Sequence, residues 1–318
     1  MASPVPPLVF DTSFDPQTGR PILVAPGLTR ITAPNASPYT FTGTNSFLLG
    51  YETLGLIDPG PDDPAHLDAL RAAIGGRRVE AIILTHTHRD HCASAAALAA
   101  ELGAALWFGG RHRLSRPLRR FETDPISGSS ARELVPDVVL ADGESFQIDG
   151  IPVSVHATPG HCANHLAFGL TGTEFLLTGD HIMGWNSTLV SVPDGSMADY
   201  LASLDKVIAL PFQRYLPAHG GPIADGPNYA RALKAHRLER NEQVLAAVGR
   251  GAHSLGAITG AVYRNIAPTV RRAAQMTVTA HVEYLEALGQ LTVKRGLLGT
   301  RVSLPKGGAR PIAGGSSV

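Results

Sequence analysis

The residues best suited to chemistry in this sequence lie in segment 85–91. His86, His88, Asp90 and His91 fall within six positions, directly after the apolar run 81–84, which reads as a buried strand. A single histidine is more often a surface or hydrogen-bonded residue than a metal ligand, but four ligand-type residues this close together favour metal binding. In a tight turn, His86 and His88 point the same way, and the other two fall one turn further on. The spacing therefore predicts two metal ions side by side.

Three later segments repeat the same pattern, in which a predicted strand ends in small residues and then a candidate ligand. These ligands are His161, Asp180 and His219. Because α/β folds place their chemistry at strand ends, the recurrence predicts one composite site.

Composition describes an ordinary globular protein. The chain has 318 residues, of which 44% are hydrophobic and 17% charged. No apolar run approaches the roughly 20 residues that a membrane span needs, and the start of the chain shows neither a signal-peptide core nor an Arg-rich transit pattern. We therefore expect a cytoplasmic protein without a membrane partner. Cys92 and Cys162 adjoin candidate ligands, which argues against a disulfide. Packing is favoured over an outer ligand role because small buried cysteines are common.

The net charge of zero hides an asymmetry between two parts of the chain. Residues 1–225 hold 14 Lys+Arg against 23 Asp+Glu, whereas residues 226–318 hold 13 against 4. The basic end predicts phosphate contacts with RNA, or packing against the acidic body or against a second subunit of a homodimer. The candidates for phosphate contact are Arg271, Arg272, Lys294 and Arg295.

An irregular segment, 109–137, carries five arginines, Arg111, Arg113, Arg116, Arg119 and Arg120. Long loops beside a site often form lids or bind substrate, and the alternative is a solvated surface loop.

Periodicity and turn residues predict the secondary structure. Strands are expected at 22–24, 28–31, 42–49, 53–57, 104–108, 138–140, 144–148, 153–157, 166–170, 174–177 and 214–216, and helices at 66–74, 92–102 and 197–210. The first four strands predict a mostly antiparallel sheet, and Asp149-Gly150 predicts a hairpin turn.

From residue 228 the pattern becomes helical. Helices are predicted at 228–248, 255–263 and 268–288, followed by a hairpin of 290–294 and 297–302 around Arg295-Gly296. This order describes a winged-helix-like module. The predicted domains are a catalytic domain at 1–225, this module at 226–306 and a disordered tail at 307–318.

The motif His-x-His-x-Asp-His, with the later His161, Asp180 and His219, resembles the metallo-β-lactamase superfamily of binuclear metallohydrolases. Within it, the β-lactamase-like protein 2 group is similar in its Asn-Ser-Phe at 45–47, Ile-Asp-Pro-Gly at 57–60, Thr-Pro-Gly-His at 158–161 and helical end. One departure is Pro-Ala-His-Gly at 217–220, where Pro-Gly-His-Gly is usual. The resemblance implies an α+β fold class, an αββα sandwich with metals at one edge.

The resemblance also implies a ligand set. His86, His88 and His161 would bind the first metal, Asp90, His91 and His219 the second, and Asp180 would bridge them. Two Zn²⁺ are expected, with Mn²⁺ or Fe as alternatives, because imidazole suits zinc and mixed His/Asp sites suit all three. A hydroxide shared by the two ions would be the nucleophile.

Three residues outside the ligand set are candidates for orienting a ligand or donating a proton. Asp58 matches the carboxylate that accepts the distal N–H of a ligand imidazole, with a turn-capping Asp as the alternative. The predicted catalytic residues are Asp90, Asp180 and His165, the last as a proton donor, unless it only forms local hydrogen bonds. The same role for His181 is less favoured.

The sequence predicts a binuclear metal-dependent hydrolase of a thioester, ester or related small substrate. The first alternative is an endoribonuclease acting on single-stranded RNA, which an aromatic content of only 6% weakens because RNA readers stack bases on aromatic rings. The second alternative is a nucleic-acid-binding protein with structural metals. It is disfavoured because structural zinc sites are usually rich in cysteine, and none occupies a matched ligand position.

Overall fold

The computed structural model describes residues 6–296 and 299–305. Its strands are β1 (Ile22–Ala25), β2 (Leu28–Thr32), β3 (Asn45–Leu49), β4 (Thr53–Ile57), β5 (Arg78–Ile83), β6 (Ala105–Phe108), β7 (Val138–Val139), β8 (Ser145–Ile148), β9 (Ile151–Ala157), β10 (Leu166–Leu170), β11 (Phe175–Gly179), β12 (Arg214–Pro217), β13 (Thr292–Gly296) and β14 (Gly299–Ser303). Its α-helices are α1 (Pro64–Ile74), α2 (Arg89–Cys92), α3 (Ala95–Leu102), α4 (Met197–Ala209), α5 (Gly226–Gly249), α6 (Leu255–Val262) and α7 (Arg271–Ala287).

Two sheets form the body of the protein. The first has seven strands in the order β1-β2-β3-β4-β5-β6-β7, and the second has five in the order β12-β11-β10-β9-β8. Strands β1 to β4 are antiparallel neighbours, as predicted, whereas β4 to β7 run parallel. The predicted turn at Asp149-Gly150 is confirmed, because Ile148 pairs with Ile151 across it.

The sheets pack face to face, and helices cover both outer faces. Phe47 and Ile83 of the first sheet meet Phe168 of the second in a shared apolar core. Helices α1 and α3 bury their apolar side chains on the outer face of the first sheet, and α4 and α5 do so on the second. Each sheet thus buries one face against the other sheet and its other face under helices, and this four-layer arrangement is the αββα sandwich of the predicted α+β class.

The connection after β5 differs from the prediction of one helix at 92–102. A short helix, α2, begins at Arg89, and α3 begins only at Ala95. Asp90 and His91 therefore lie on a helical turn, whereas His86 and His88 precede it, and His88 has an extended backbone.

The C-terminal part consists of α5, α6, α7 and the β13–β14 hairpin around their own apolar cluster. The predicted turn at Arg295-Gly296 is wrong, because these residues belong to β13 and pair with Thr300 and Gly299. The connection falls on 297–298, outside the described residues, as does the predicted tail at 307–318. The division at residue 225 and the winged-helix-like character stay predictions.

Segment 109–137 is anchored to the C-terminal part. Arg116 donates to Glu283 of α7 at 2.6 and 2.9 Å and to Glu122 at 2.7 Å, and Arg119 also pairs with Glu283. Glu283 is only 14% exposed, so screening by water is reduced. The two arginines therefore anchor the segment to α7, and it is not a freely solvated loop.

Among the helices of the described residues, none combines the length and the hydropathy that a membrane span requires.

Buried neutral histidines make the fold sensitive to acid. Burial lowers the pKa of His66 to about 4 and that of His281 well below its usual value. The unfolded chain binds these protons near pH 6.5, so stability is fully present above pH 6.5 and is lost as the pH falls towards 4.

We expect the free energy of unfolding of the metal-free protein to fall steeply between pH 6.5 and pH 4, by about 3 kcal/mol from His66 alone. Urea unfolding at several pH values measures this slope. In H66N/H281N the slope should be shallower, whereas an unchanged slope would show that other groups control acid unfolding.

Candidate metal centre

Strand ends of both sheets bring the seven predicted ligands together. His86 and His88 follow β5, with Asp90 and His91 one turn further on α2. His161, Asp180 and His219 follow β9, β11 and β12 of the second sheet. The five histidines are at most 6% exposed, whereas the Asp90 side chain is 32% exposed. The composite site is thus built where the two sheets meet.

One group of three nitrogens comes from His86, His88 and His161. His88 Nδ1 lies 3.1 Å from His86 Nε2 and 2.8 Å from His161 Nε2. The three rings meet edge to face, with their nitrogens converging on one point. Such a cluster has the donor set that a zinc-like ion accepts.

A second group lies beside the first and contains Asp90, His91 and His219. Asp90 Oδ2 is 3.6 Å from His91 Nε2 and 3.3 Å from His219 Nε2.

Asp180 connects the two groups. Its Oδ2 is 3.6 Å from His161 Nε2, whereas its Oδ1 is 3.5 Å from His91 Nε2 and 3.3 Å from His219 Nε2. Each carboxylate oxygen therefore faces a different group, which is the arrangement that a bridging carboxylate needs.

Each ligand histidine has an inner nitrogen, which faces the other ligands, and an outer nitrogen, which faces a hydrogen-bond acceptor. His88 Nε2 donates to Asp194 at 2.8 Å, and His91 Nδ1 donates to Asp58 at 3.0 Å. Backbone carbonyls accept from His161 and His219. His161 Nδ1 donates to the carbonyl of Leu189 at 2.7 Å, and His219 Nδ1 donates to that of Gly43 at 3.2 Å. Since these acceptors carry no proton, each outer nitrogen must carry one, and in a neutral ring the inner nitrogen is then bare.

His86 obeys the same rule through Thr85. The Thr85 hydroxyl donates to Asp58 at 2.6 Å, so its oxygen is left to accept from His86 Nδ1 at 3.0 Å. Asp58 also accepts the Thr85 backbone N–H at 2.8 Å. It adopts a left-handed backbone with φ 48°, an uncommon conformation for a residue other than glycine. The carboxylate predicted to orient a ligand thus faces His91 directly and His86 through one hydroxyl.

Sequence reasoning missed two residues behind His88. Asp194 is fully buried and contacts His88, and its Oδ1 lies 3.3 Å from His112 Nε2. His112 Nδ1 in turn lies 3.0 Å from the Thr87 hydroxyl, which contacts Asn164 at 3.0 Å. Neither Asp194 nor His112 stands in a motif, so only the folded contacts could identify them.

The ligand atoms that face the centre suit a cation better than hydrogen bonds to one another. His91 Nε2, His219 Nε2 and Asp180 Oδ1 are buried without a hydrogen-bond partner of normal geometry among the described residues. Without metal, protons take part of the cation's place. Burial lowers the pKa of His219, but Asp180 and Asp90 outweigh burial and raise it to about 9. Divalent ions would replace such protons, because a metal needs the same lone pairs.

Asn45 holds the His219 segment against the first sheet. Its side-chain nitrogen donates to the carbonyls of Pro217 and Gly220, at 3.0 and 2.9 Å, while its oxygen accepts from Thr32 at 2.7 Å. The ligand between those two carbonyls is thereby fixed across the sheets.

Gly160 lets α4 approach the His161 turn. It has φ 138°, and an added Cβ would lie 2.4 Å from the Cα of Tyr200. A larger residue would therefore push α4 away from this turn.

His165 and His181 do not line the pocket above the metal ligands. His165 Nε2 accepts the backbone N–H of Asp180 at 3.0 Å, and its Nδ1 lies 2.8 Å from the Thr158 hydroxyl. The geometry therefore has His165 positioning Asp180 and gives its predicted role as proton donor no support. His181 is buried against the Tyr200 ring, and burial lowers its pKa to about 3.

The cysteines pack as predicted. Both are free and buried, and burial raises the pKa of each thiol. Neither belongs to the ligand groups found in the described residues.

A pocket of about 530 Å³ opens onto the ligands, and its floor includes His88, Asp90, His161 and Asp180. Its walls are mainly apolar and come from four parts of the chain: Tyr39 and Thr40; Pro125, Ile126, Gly128 and Ser129; Met183 and Leu189; and Met276. Two arginines, Arg89 and Arg272, complete it. Such a volume accommodates a small organic substrate.

Comparison with known proteins agrees with this site. A family model described as the Metallo-beta-lactamase superfamily matches residues 39–219. A beta-lactamase-like protein 2 homolog from Drosophila melanogaster is 28% identical over 292 residues, covering 85% of this chain and 94% of that protein. An atrochrysone carboxyl ACP thioesterase from Claviceps purpurea is 27% identical over 235 residues, covering 71% and 67%.

The fold likewise matches a solved structure. The crystal structure of a metallo-beta-lactamase family protein from Thermus thermophilus superposes with a TM-score of 0.72 at 28% identity, covering 89% of this chain and all of that one. The matched family region includes all seven candidate ligands. The chain belongs to the metallo-beta-lactamase superfamily.

Proposed function

We propose that this protein is a dinuclear metal-dependent hydrolase of thioesters or closely related small acyl compounds. The observation that carries the proposal is the arrangement around Asp180, whose two carboxylate oxygens face separate ligand groups at the floor of one pocket.

We assign His86, His88 and His161 to one ion and Asp90, His91 and His219 to the other, with Asp180 shared. Zn²⁺ is the expected metal because the donors are mainly imidazole. Mn²⁺ and Fe are alternatives because they also bind mixed His/Asp donor sets. When bound, two such ions would supply an activated water at neutral pH and polarise the scissile carbonyl group.

The chain's own residues orient and enclose this chemistry. Asp58 and Asp194 hold the imidazoles of His91 and His88, and His165 holds the backbone of Asp180. Burial raises the pKa of Asp90, but His91 and His219 outweigh burial and lower it below its usual value, so Asp90 reaches the pocket as an ionised carboxylate fit to hold a metal. The apolar walls exclude water from an acyl chain.

A small acyl substrate is favoured over RNA by the pocket and by the basic residues. The apolar lining suits an acyl group better than a polyanion. Arg295, one of the predicted phosphate contacts, is paired with Glu286 through both of its terminal nitrogens. The name of the Claviceps relative gives further support to a thioester.

The reaction class is tested with zinc-loaded protein on butyryl N-acetylcysteamine thioester, bis(p-nitrophenyl) phosphate and single-stranded RNA. We expect thiol release from the thioester that disappears on metal removal by a chelator and returns with zinc. D180N should be inactive because it loses the shared charge, and the exposed D62N should match wild type. Cleavage of RNA without thioester hydrolysis would reject the proposal.

A second prediction concerns Asp58. D58N replaces one acceptor oxygen with an N–H donor that cannot accept from His91, so zinc affinity should fall by about 10- to 100-fold. Competition with a fluorescent chelator measures the affinity. D149N is the matched control, because Asp149 also has a left-handed backbone, φ 50°, and accepts two backbone N–H groups, but it lies at the β8–β9 hairpin. Equal affinities for D58N and D149N would refute the orienting role of Asp58.

A further inference from the structure

The pocket above the metal ligands contains a cation that the proposed chemistry does not use. Arg272 stands at the start of α7 and lines the pocket together with Met276 of the same helix. Helix α7 lies outside the matched family region, 39–219, so this wall is contributed by the C-terminal part of the chain.

Arg272 differs from the other arginine of the pocket in its partners. Arg89 is neutralised by Glu133, with an N···O distance of 2.8 Å. Arg272 donates one N–H to the carbonyl of Pro125 at 3.1 Å, and no Asp or Glu in the described part of the chain forms an ion pair with it. One hydrogen bond to a neutral carbonyl leaves most of the five guanidinium donors free.

Arg272 lines the same pocket as the candidate ligands. His88, Asp90, His161 and Asp180 contribute ligand atoms to this pocket, and Leu189, Met183 and Ile126 contribute apolar surface. The pocket therefore suits a substrate that has an apolar part and an anionic group within reach of Arg272. A guanidinium recognises carboxylates and phosphates alike, through two parallel hydrogen bonds.

We propose that Arg272 is an anion-recognition residue of the substrate pocket, and that the thioester substrate carries a carboxylate or phosphate that binds there. The inference rests on the proposed function in taking the substrate to be a thioester. The binding of an anion by Arg272 does not depend on that function. The anion has two sources, a carboxylate at the end of the acyl chain or a phosphate of the thiol carrier.

Three thioesters distinguish these sources. Butyryl N-acetylcysteamine has no anion, glutaryl N-acetylcysteamine has an acyl carboxylate, and butyryl-coenzyme A has phosphates on the thiol side. In R272Q we expect KM to rise about 10- to 100-fold for the thioester whose anion binds Arg272, with kcat almost unchanged. The neutral thioester should be unaffected, and R272K should fall between R272Q and wild type because it keeps the charge but loses the fork.

R271Q is the matched control, because Arg271 is the neighbouring exposed arginine and does not line the pocket. If Arg272 only clamped Pro125, R272Q would impair all three thioesters equally and lower the melting temperature below that of R271Q. That result would overturn the proposal.

Anion binding without turnover separates this inference from the proposed function. Calorimetry on metal-free protein with glutarate and with coenzyme A should show binding of one of them to wild type and R271Q, weakened at least about 10-fold in R272Q. Loss of this binding in R272Q supports the inference even if wild type hydrolyses no thioester. Equal binding by R272Q and wild type would overturn it whatever the activity.

Discussion

The constraint on which this site depends is that the outer nitrogens of five buried histidines all face acceptors. Asp58, Asp194, the Thr85 hydroxyl and two backbone carbonyls take the outer N–H groups, so in neutral rings the inner lone pairs are directed at the same small volume. Bare nitrogens 2.8 to 3.1 Å apart repel one another unless a cation or proton lies between them. The polar groups around the ligands therefore fix the proton of each ring on its outer nitrogen. This leaves the inner lone pairs free for a metal ion.

The sandwich supplies the rigidity that this arrangement needs. Strands β5, β9, β11 and β12 deliver ligands from both sheets, and Asn45 fastens the His219 turn across them. The substrate side is built differently. Segment 109–137 and α7 come from outside the sheets, and their contact through Arg116, Arg119 and Glu283 holds the pocket walls together. Thus the candidate ligands follow strands of the two sheets, whereas part of the pocket wall comes from segments outside the sheets.

Much of the fold and of the ligand set could be predicted from the sequence, because strand periodicity and the spacing of His86, His88, Asp90 and His91 are local signals. The residues that orient the ligands could not, apart from Asp58, which stands in a recognisable motif. Asp194 and His112 lie 82 positions apart in unremarkable loops and meet only through the tertiary fold. The same limit explains why His165 suggested a proton donor, since no local pattern shows that both of its nitrogens are already bonded. The basic C-terminal charges also could not be separated by sequence into the paired Arg295 and the pocket-lining Arg272.

Nitrogen NMR of the histidine rings shows which nitrogen of each ring binds metal and which carries the proton. In zinc-loaded protein with ¹⁵N-labelled histidine, we expect His88 to bind metal through Nδ1 and to keep its proton on Nε2. His86, His91, His161 and His219 should show the opposite pattern, with metal on Nε2 and the proton on Nδ1. A His88 ring that keeps its proton on Nδ1, or inner nitrogens whose shifts do not respond to zinc, would show that the outer acceptors do not direct the inner lone pairs at a metal.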